Sequence, residues 1–384
     1  MQFNRREFIG LGSLLLGSPV LASHGQDTSS ALFLSAASNS RDEHWIVGFR
    51  WQAEQAVPVF QHALPGRAHH IAIHEGLGIY IVIARRPGSY LWIGDLESGA
   101  FLAEITVPDD RHLFGHGVFS ADGSRFYAPE SDWQDMTGDS GRIVSWQVRR
   151  SSDSVSMERL DEHPSYGVGP HEILLMPDQD TLVVANGGIR THPETGREKL
   201  NIDTMQPSLV YMSASTGQLF EQRFLEEHYH QASIRHMDQT ADGLIAFGIQ
   251  YEGEPFDSVP LIATHRRGEA IRTLWAPEPQ QGQMSQYVGS VRFDNGGRVF
   301  AASCPRGNMI TFWDSERGEM IDAVRSRDGC GICAMESGFL FTTGTGRIAW
   351  YDPVQAVTRD VNAEGFDKLF WDNHLSMVNP AMKG

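Results

Sequence analysis

Cysteine is scarce: 384 residues hold only three, Cys304, Cys330 and Cys333. An odd number excludes a complete disulfide framework in an oxidising compartment. The pair in Cys330-Gly-Ile-Cys333 lacks the second cysteine pair of a persuasive zinc site and lies in no βαβ pattern. It reads as a local disulfide or two buried thiols ahead of a catalytic pair, since free cysteine is among the most buried residue types. Positive charge is also short, with 31 Lys and Arg against 48 Asp and Glu and a net charge of −17. Phosphate binding needs clustered cations, so general affinity for nucleic acid or anionic membrane is excluded; the acidic surface serves solubility first. Helical periodicity is rare. Neither a Gly-x-Ser-x-Gly nucleophile motif nor a dinucleotide fingerprint after a strand is present.

Long apolar runs are missing as well, apart from Ile9 to Leu21, which is too short and glycine-rich to span a membrane stably. The residues before it, Asn4-Arg5-Arg6-Glu7-Phe8-Ile9, resemble the twin-arginine (Tat) export motif, and Val20-Leu21-Ala22 has the spacing of a cleavage site. Residues 1–22 are therefore expected to be a Tat signal peptide. Residues 23–384 are expected to form one domain in the periplasm, not integral to the membrane after cleavage. Losing Arg5, Arg6 and Glu7 takes the basic count from 31 to 29 and the acidic count from 48 to 47, a mature charge of −18.

What the chain does have is 39 glycines and short runs rich in Val, Ile, Phe, Trp and Tyr between Gly, Asp, Asn and Ser clusters, an all-β signal. A two-strand unit recurs. His116-Gly-Val-Phe turns at Asp122-Gly123 into Phe126-Tyr-Ala, and His171-Glu-Ile-Leu-Leu turns at Asp178-Gln179 into Leu182-Val-Val-Ala. Similar units begin at His70, His236, Val288 and Cys330, each followed by a third strand often ending in an aromatic residue, such as Trp146, Trp313 or Trp350-Tyr351. Four strands per repeat at intervals of roughly 40 to 65 residues predict propeller blades. Six units begin between His70 and Cys330. A seventh is completed by three N-terminal strands, from Leu32, His44 and Val57, joined to a C-terminal strand from Leu369 to Val378. The predicted fold is an all-β, seven-bladed β-propeller of WD40/YVTN type, closed by a blade shared between the termini so that no sheet edge is left open. The polar loop from Gly187 to Ser208 reads either as a functional loop or as a surface insertion.

The first strand of a blade lines the central channel and the second runs antiparallel beside it. Counting along each unit pairs His70 with Arg85, His116 with Glu130, His171 with Asn186 and His236 with Gln250. His374, in the shared blade, joins the same ring. His70, His116, His171, His236 and His374, with Glu130, are the expected metal ligands. Arg85, Asn186, His192, Asp203 and Gln250 are expected to bind or orient whatever accompanies the metal. Imidazole suits iron, copper, zinc and nickel, and a carboxylate adds neutralising charge. A single buried histidine is usually a hydrogen-bonded core residue, and WD-type propellers place structural histidines in their blades. The coincidence of several at one level of one channel favours a metal over that reading. Two alternatives stay open: a metal-dependent hydrolase or oxidoreductase with Glu130 or Asp203 as general base, and a docking scaffold whose histidines are structural. No catalytic residue is assigned.

Several segments carry a family resemblance: Phe114-Gly-His116-Gly-Val-Phe, Gly169-Pro-His171-Glu, Asn186-Gly-Gly-Ile-Arg-Thr-His192-Pro, Leu200-Asn-Ile-Asp203-Thr-Met-Gln-Pro and Ser233-Ile-Arg-His236. With the Tat-like N-terminus, they resemble an uncharacterised family of exported bacterial propellers, domain of unknown function 1513. The resemblance covers the mature chain and is most specific from Gly169 to Leu209. Members are typically encoded beside imelysin-type periplasmic iron-uptake proteins and a dihaem oxidoreductase-like protein. This implies a role in iron acquisition, partners of the imelysin type, and iron ahead of copper or zinc.

Overall fold

Alternating apolar residues bounded by tight turns form seven antiparallel sheets arranged as blades around one channel. The computed structural model describes residues 31–52, 55–135, 140–196, 198–366 and 368–378; the expected signal peptide and cleavage site lie outside them. The first blade comprises Ala68–His74, Ile79–Ala84, Tyr90–Asp95 and Phe101–Thr106. Five further blades follow in chain order, and each builds outward from an inner strand. Burial explains the direction: the inner three strands of the third blade, Pro170–Leu175, Thr181–Asn186 and Ser208–Ser213, are largely buried, while the outermost, Leu219–Phe224, is half exposed. The aromatic residues at the ends of third strands, Trp146, Trp313 and Trp350, are buried between blades, where their large surfaces contribute most to the core.

The shared blade forms as expected. Leu32–Ser38 pairs with His44–Gln52, which pairs with Gln55–Ala63, and the innermost position is filled from the C-terminus. That innermost strand is broken. Phe370–Trp371 pairs with Ser38 and Ala37, Ser376–Val378 pairs with Leu34 to Leu32, and Asp372 to Leu375 bulge out of the ladder. Ser35 Oγ donates to the His374 carbonyl at 2.7 Å and Ser376 Oγ donates to the Ile71 carbonyl at 2.8 Å, tying the bulged segment to its own blade and to the next.

The same irregularity recurs around the channel. Inner strands lose register between Ala68 and Ile71, Pro170 and Glu172, Ile234 and Met237, and Gly329 and Ile332. In the second blade the inner strand splits into Arg111–Leu113 and Val118–Phe119. A bulge frees one residue from strict alternation and re-aims its side chain. Five of these interruptions carry His69-His70, His116, His171, His236 and His374; the fifth blade, whose inner strand Ser290–Phe293 has no histidine, stays regular.

Candidate metal centre

The interruptions turn imidazoles toward the channel axis, where they plug it. His69, His116, His171 and His236 each bring a ring nitrogen within 4.8 Å of the other three. His374 packs against three of them, with ring centroids 4.5 Å from His69, 4.6 Å from His116 and 4.9 Å from His236. His70 stacks on His116 at 5.3 Å on the far side of the group. Glycine makes room for this. Gly115 has φ +102°, and a Cβ there would lie 2.9 Å from the Cβ of His69, while one on Gly117 would strike the Phe126 ring at 2.3 Å.

Several of these rings bury a nitrogen that has no protein partner: Nε2 of His116, His171 and His374, and Nδ1 of His70. Such groups cost free energy, and native cores rarely keep several together. Burial pushes the imidazoles down, to about 3 at His70 and about 4 at His236, and well below the usual value at His69, His171 and His374. These rings are therefore neutral near pH 7, with lone pairs free to coordinate.

Two carboxylates stand behind them. Asp372 Oδ1 lies 2.6 Å from Nδ1 of His69, and its other oxygen accepts from Arg67 and Arg85 at 2.8 and 2.9 Å. Glu172 lies 3.4 Å from Nδ1 of His116 and 3.6 Å from Nδ1 of His236, and accepts the Met237 amide at 2.7 Å. Burial works against ionisation of both. It is outweighed by Arg85 and the His69 contact at Asp372, and by the His116 and His236 contacts at Glu172, so both sit well below the ordinary carboxylate range. A carboxylate on Nδ1 leaves Nε2 facing the centre, the orientation found behind metal-bound histidines. Tetrahedral ligands at bonds of about 2.1 Å lie about 3.4 Å apart, so a set whose nitrogens lie within 4.8 Å of one another closes on an ion by ring movements of on the order of 1 Å.

Residues 62–378 match the model of the family described as Protein of unknown function (DUF1513). The chain belongs to that family. No curated protein matches it. As a DUF1513 member it shares its fold with solved propellers. Hydrazine synthase of Kuenenia stuttgartiensis is similar at 14% identity and TM-score 0.56, over 91% of this chain and 99% of that one. Sqt1 of Saccharomyces cerevisiae is similar at 8% identity and TM-score 0.57, over 90% and 85%. The periplasmic gluconolactonase PpgL of Pseudomonas aeruginosa is similar at 14% identity and TM-score 0.55, over 89% and 99%. Among the described residues no helix is long and apolar enough to cross a membrane.

The expected site residues divide sharply. His116, His171 and His236 stand in the four-imidazole group, and His374 adjoins it. His70 does not belong to the group; its neighbour His69 does, and His70 instead lines a 1170 Å³ funnel leading in from one face of the propeller. Glu130 is not at the centre. It receives both its hydrogen bonds from Arg159 at 2.9 Å on the outermost strand, and burial raises it to about 7. The inner strand is interrupted at residues 114–117, so Glu130 pairs with Leu113 and never reaches the level of His116.

Arg85 and Gln250 line a small pocket against His69, His171 and His236. Asn186 does not face the imidazoles: it bonds the Ser165 carbonyl at 2.8 Å and Ser208 at 3.3 Å. His192 packs edge-on against Trp133 in its loop, and Asp203 lies in a separate groove with Phe224 and Tyr229, so neither joins the cluster. The residues missed by sequence reading, His69, Glu172, Arg235 and Asp372, are each one or two positions from a ring histidine.

The three cysteines are free and buried. Burial pushes the thiols of Cys304 and Cys333 up to about 12 and that of Cys330 well above its ordinary value, so they are poor nucleophiles and the two-buried-thiol reading holds.

Proposed function

We propose that this protein is a periplasmic, Tat-exported metal-binding propeller that serves as an accessory in iron uptake. A single transition metal would be held by Nε2 of His69, His116 and His236 together with His171. The observation that carries this reading is the convergence of four imidazoles, three buried and His171 half-buried, two of them with an orphaned Nε2, on one point of the channel axis. A structural role would satisfy those nitrogens within the protein. Two buried carboxylates behind the rings supply charge that a divalent or trivalent cation would offset. An all-imidazole set accepts iron, copper, zinc or nickel; iron, and partners of the imelysin type, rest on the family resemblance. His374 and His70 stand outside the four, with His70 at the floor of the funnel by which an ion could arrive.

Metal analysis of the purified mature protein after loading and desalting tests this. About one ion per chain is expected in the wild type. His116→Ala and His236→Ala should each retain less than a tenth of that, while His70→Ala should stay near the wild-type content. A substoichiometric wild type, or His116→Ala and His236→Ala variants that hold metal as well as it does, would refute the reading.

A further inference from the structure

On the side of the imidazole plug away from the funnel lies a pocket of 30 Å³, room for on the order of two water-sized groups. One wall is made by His69, His171 and His236, and the rest carries three guanidiniums, Arg85, Arg86 and Arg235. Among the described residues no carboxylate lines it; Asp372 and Glu252, which pair with Arg85 and Arg235, stand behind those arginines. The arginines are held in place: Arg85 by Asp372 at 2.9 Å, Arg86 over the Phe114 ring at 5.8 Å, and Arg235 by contact with Nδ1 of His171 at 3.3 Å. Half-buried Gln250 and Tyr287 form the lip, and Arg306 lies over the Tyr287 ring at 4.8 Å.

Inner strands of a propeller run in one direction, which explains the asymmetry. Residues early in the inner strands, such as His69, His171 and His236, face the arginine side, and residues further along them, from His70, Gly117, Asp238 and Arg292 onward, face the wide funnel. The funnel walls mix acids and bases that pair with one another, as in Arg266 with Asp242 and Arg292 with Asp238. The charged groups that line the small pocket are all guanidiniums. Fixed guanidiniums in a confined site of low dielectric select negative charge, and the volume restricts it to few atoms.

From this geometry we infer that the small pocket binds a monatomic to triatomic anion as an additional ligand of the metal, held between the open face of the ion and the guanidiniums of Arg85, Arg86 and Arg235. The inference rests on the four-imidazole reading above, and adds that the site has an exchangeable position served from one side only. An ion enclosed entirely by histidines would offer no such position, so anion binding separates a reactive or sensing centre from a closed storage or structural one.

Azide titration of the copper(II)-loaded protein, followed by electron paramagnetic resonance and by the azide-to-copper charge-transfer band, with copper content measured on the same samples, tests it. Saturable azide binding is expected in the wild type. Arg86→Gln should weaken it at least tenfold at unchanged copper content, and Arg86→Lys should restore it to within about threefold. Arg235→Lys, which keeps the charge beside His171, should lie between the wild type and Arg86→Gln. A copper-loaded wild type whose spectra azide does not move, or equal azide affinity in wild type and Arg86→Gln, would overturn the inference and leave the metal site standing. A protein that takes up no copper would overturn both.

Discussion

Replacing Asp372 by alanine is expected to lower the free energy of unfolding by about 3–5 kcal/mol, the range for removing one partner from a buried ion pair. Asp372 is 3% exposed and is bonded by Arg67, His69 and Arg85, all from the first blade, while its own backbone belongs to the C-terminal strand of the shared blade. It therefore joins ring closure to the imidazole cluster. Without it, Arg85 is left half-buried with its charge unanswered, and His69 loses the group that sets its tautomer. Asp372→Asn preserves the shape and should cost less stability, yet still weaken metal binding about 10- to 100-fold, as replacement of carboxylates behind ligating histidines does. Denaturant titration of the metal-free variants and competitive chelator titration of the loaded ones read the two effects separately. A loss under 1 kcal/mol in Asp372→Ala would show that closure does not depend on this contact.

The metal-free protein should lose stability steeply on acidification, beginning near pH 6.5. In the unfolded chain a histidine takes up its proton near that pH, whereas in the folded protein burial holds His236 down to about 4 and His70 to about 3. Between those values the unfolded state binds more protons, so stability falls as pH falls, by up to about 1.4 kcal/mol per pH unit for each such imidazole. His236 alone would account for about 3 kcal/mol between pH 6.5 and 4. His69, His171 and His374 act in the same direction, and so do Glu172 and Asp372, whose depressed values give stability that is present above their unfolded values and lost below them. Denaturant midpoints at pH 7, 6 and 5 measure the slope, and His236→Gln should flatten it. Bound metal should raise the midpoint at each pH, because it binds only the folded state. A metal-free wild type equally stable at pH 7 and pH 5 would contradict the buried, neutral state of these rings.

Much of the architecture was legible because propeller blades announce themselves locally. Turns such as Asp122-Gly123, aromatic strand ends such as Trp313, and a C-terminal strand without companions all follow from period-two patterning and turn chemistry. The level of the site was legible for the same reason: His116, His171 and His236 sit at one place in successive blades. What sequence could not display was the bulge. A count along unbroken ladders puts His70 inward and Glu130 beside His116, but the breaks at Ala68–Ile71 and after Leu113 shift both. His69 then faces the axis, and Glu130 turns to Arg159. The supporting carboxylates escaped notice for a related reason. Strict alternation aims Glu172 away from whatever His171 faces, and only the irregular register between Pro170 and Glu172 lets neighbours serve one centre. Asp372, two residues before His374, is exposed to the centre by the broken strand of the shared blade.

In the proposed function, four imidazoles from four blades hold one metal on the channel axis. Anomalous diffraction from crystals of the metal-loaded protein, collected on either side of the absorption edge of the loaded metal, tests it most directly. One strong peak is expected among His69, His116, His171 and His236, at about 2.0–2.1 Å from their coordinating nitrogens, with the side chains of Asp372 and Glu172 behind the rings. An axis without anomalous density in crystals of a well-folded, metal-loaded protein, or a metal bound only elsewhere on the surface, would contradict the claim.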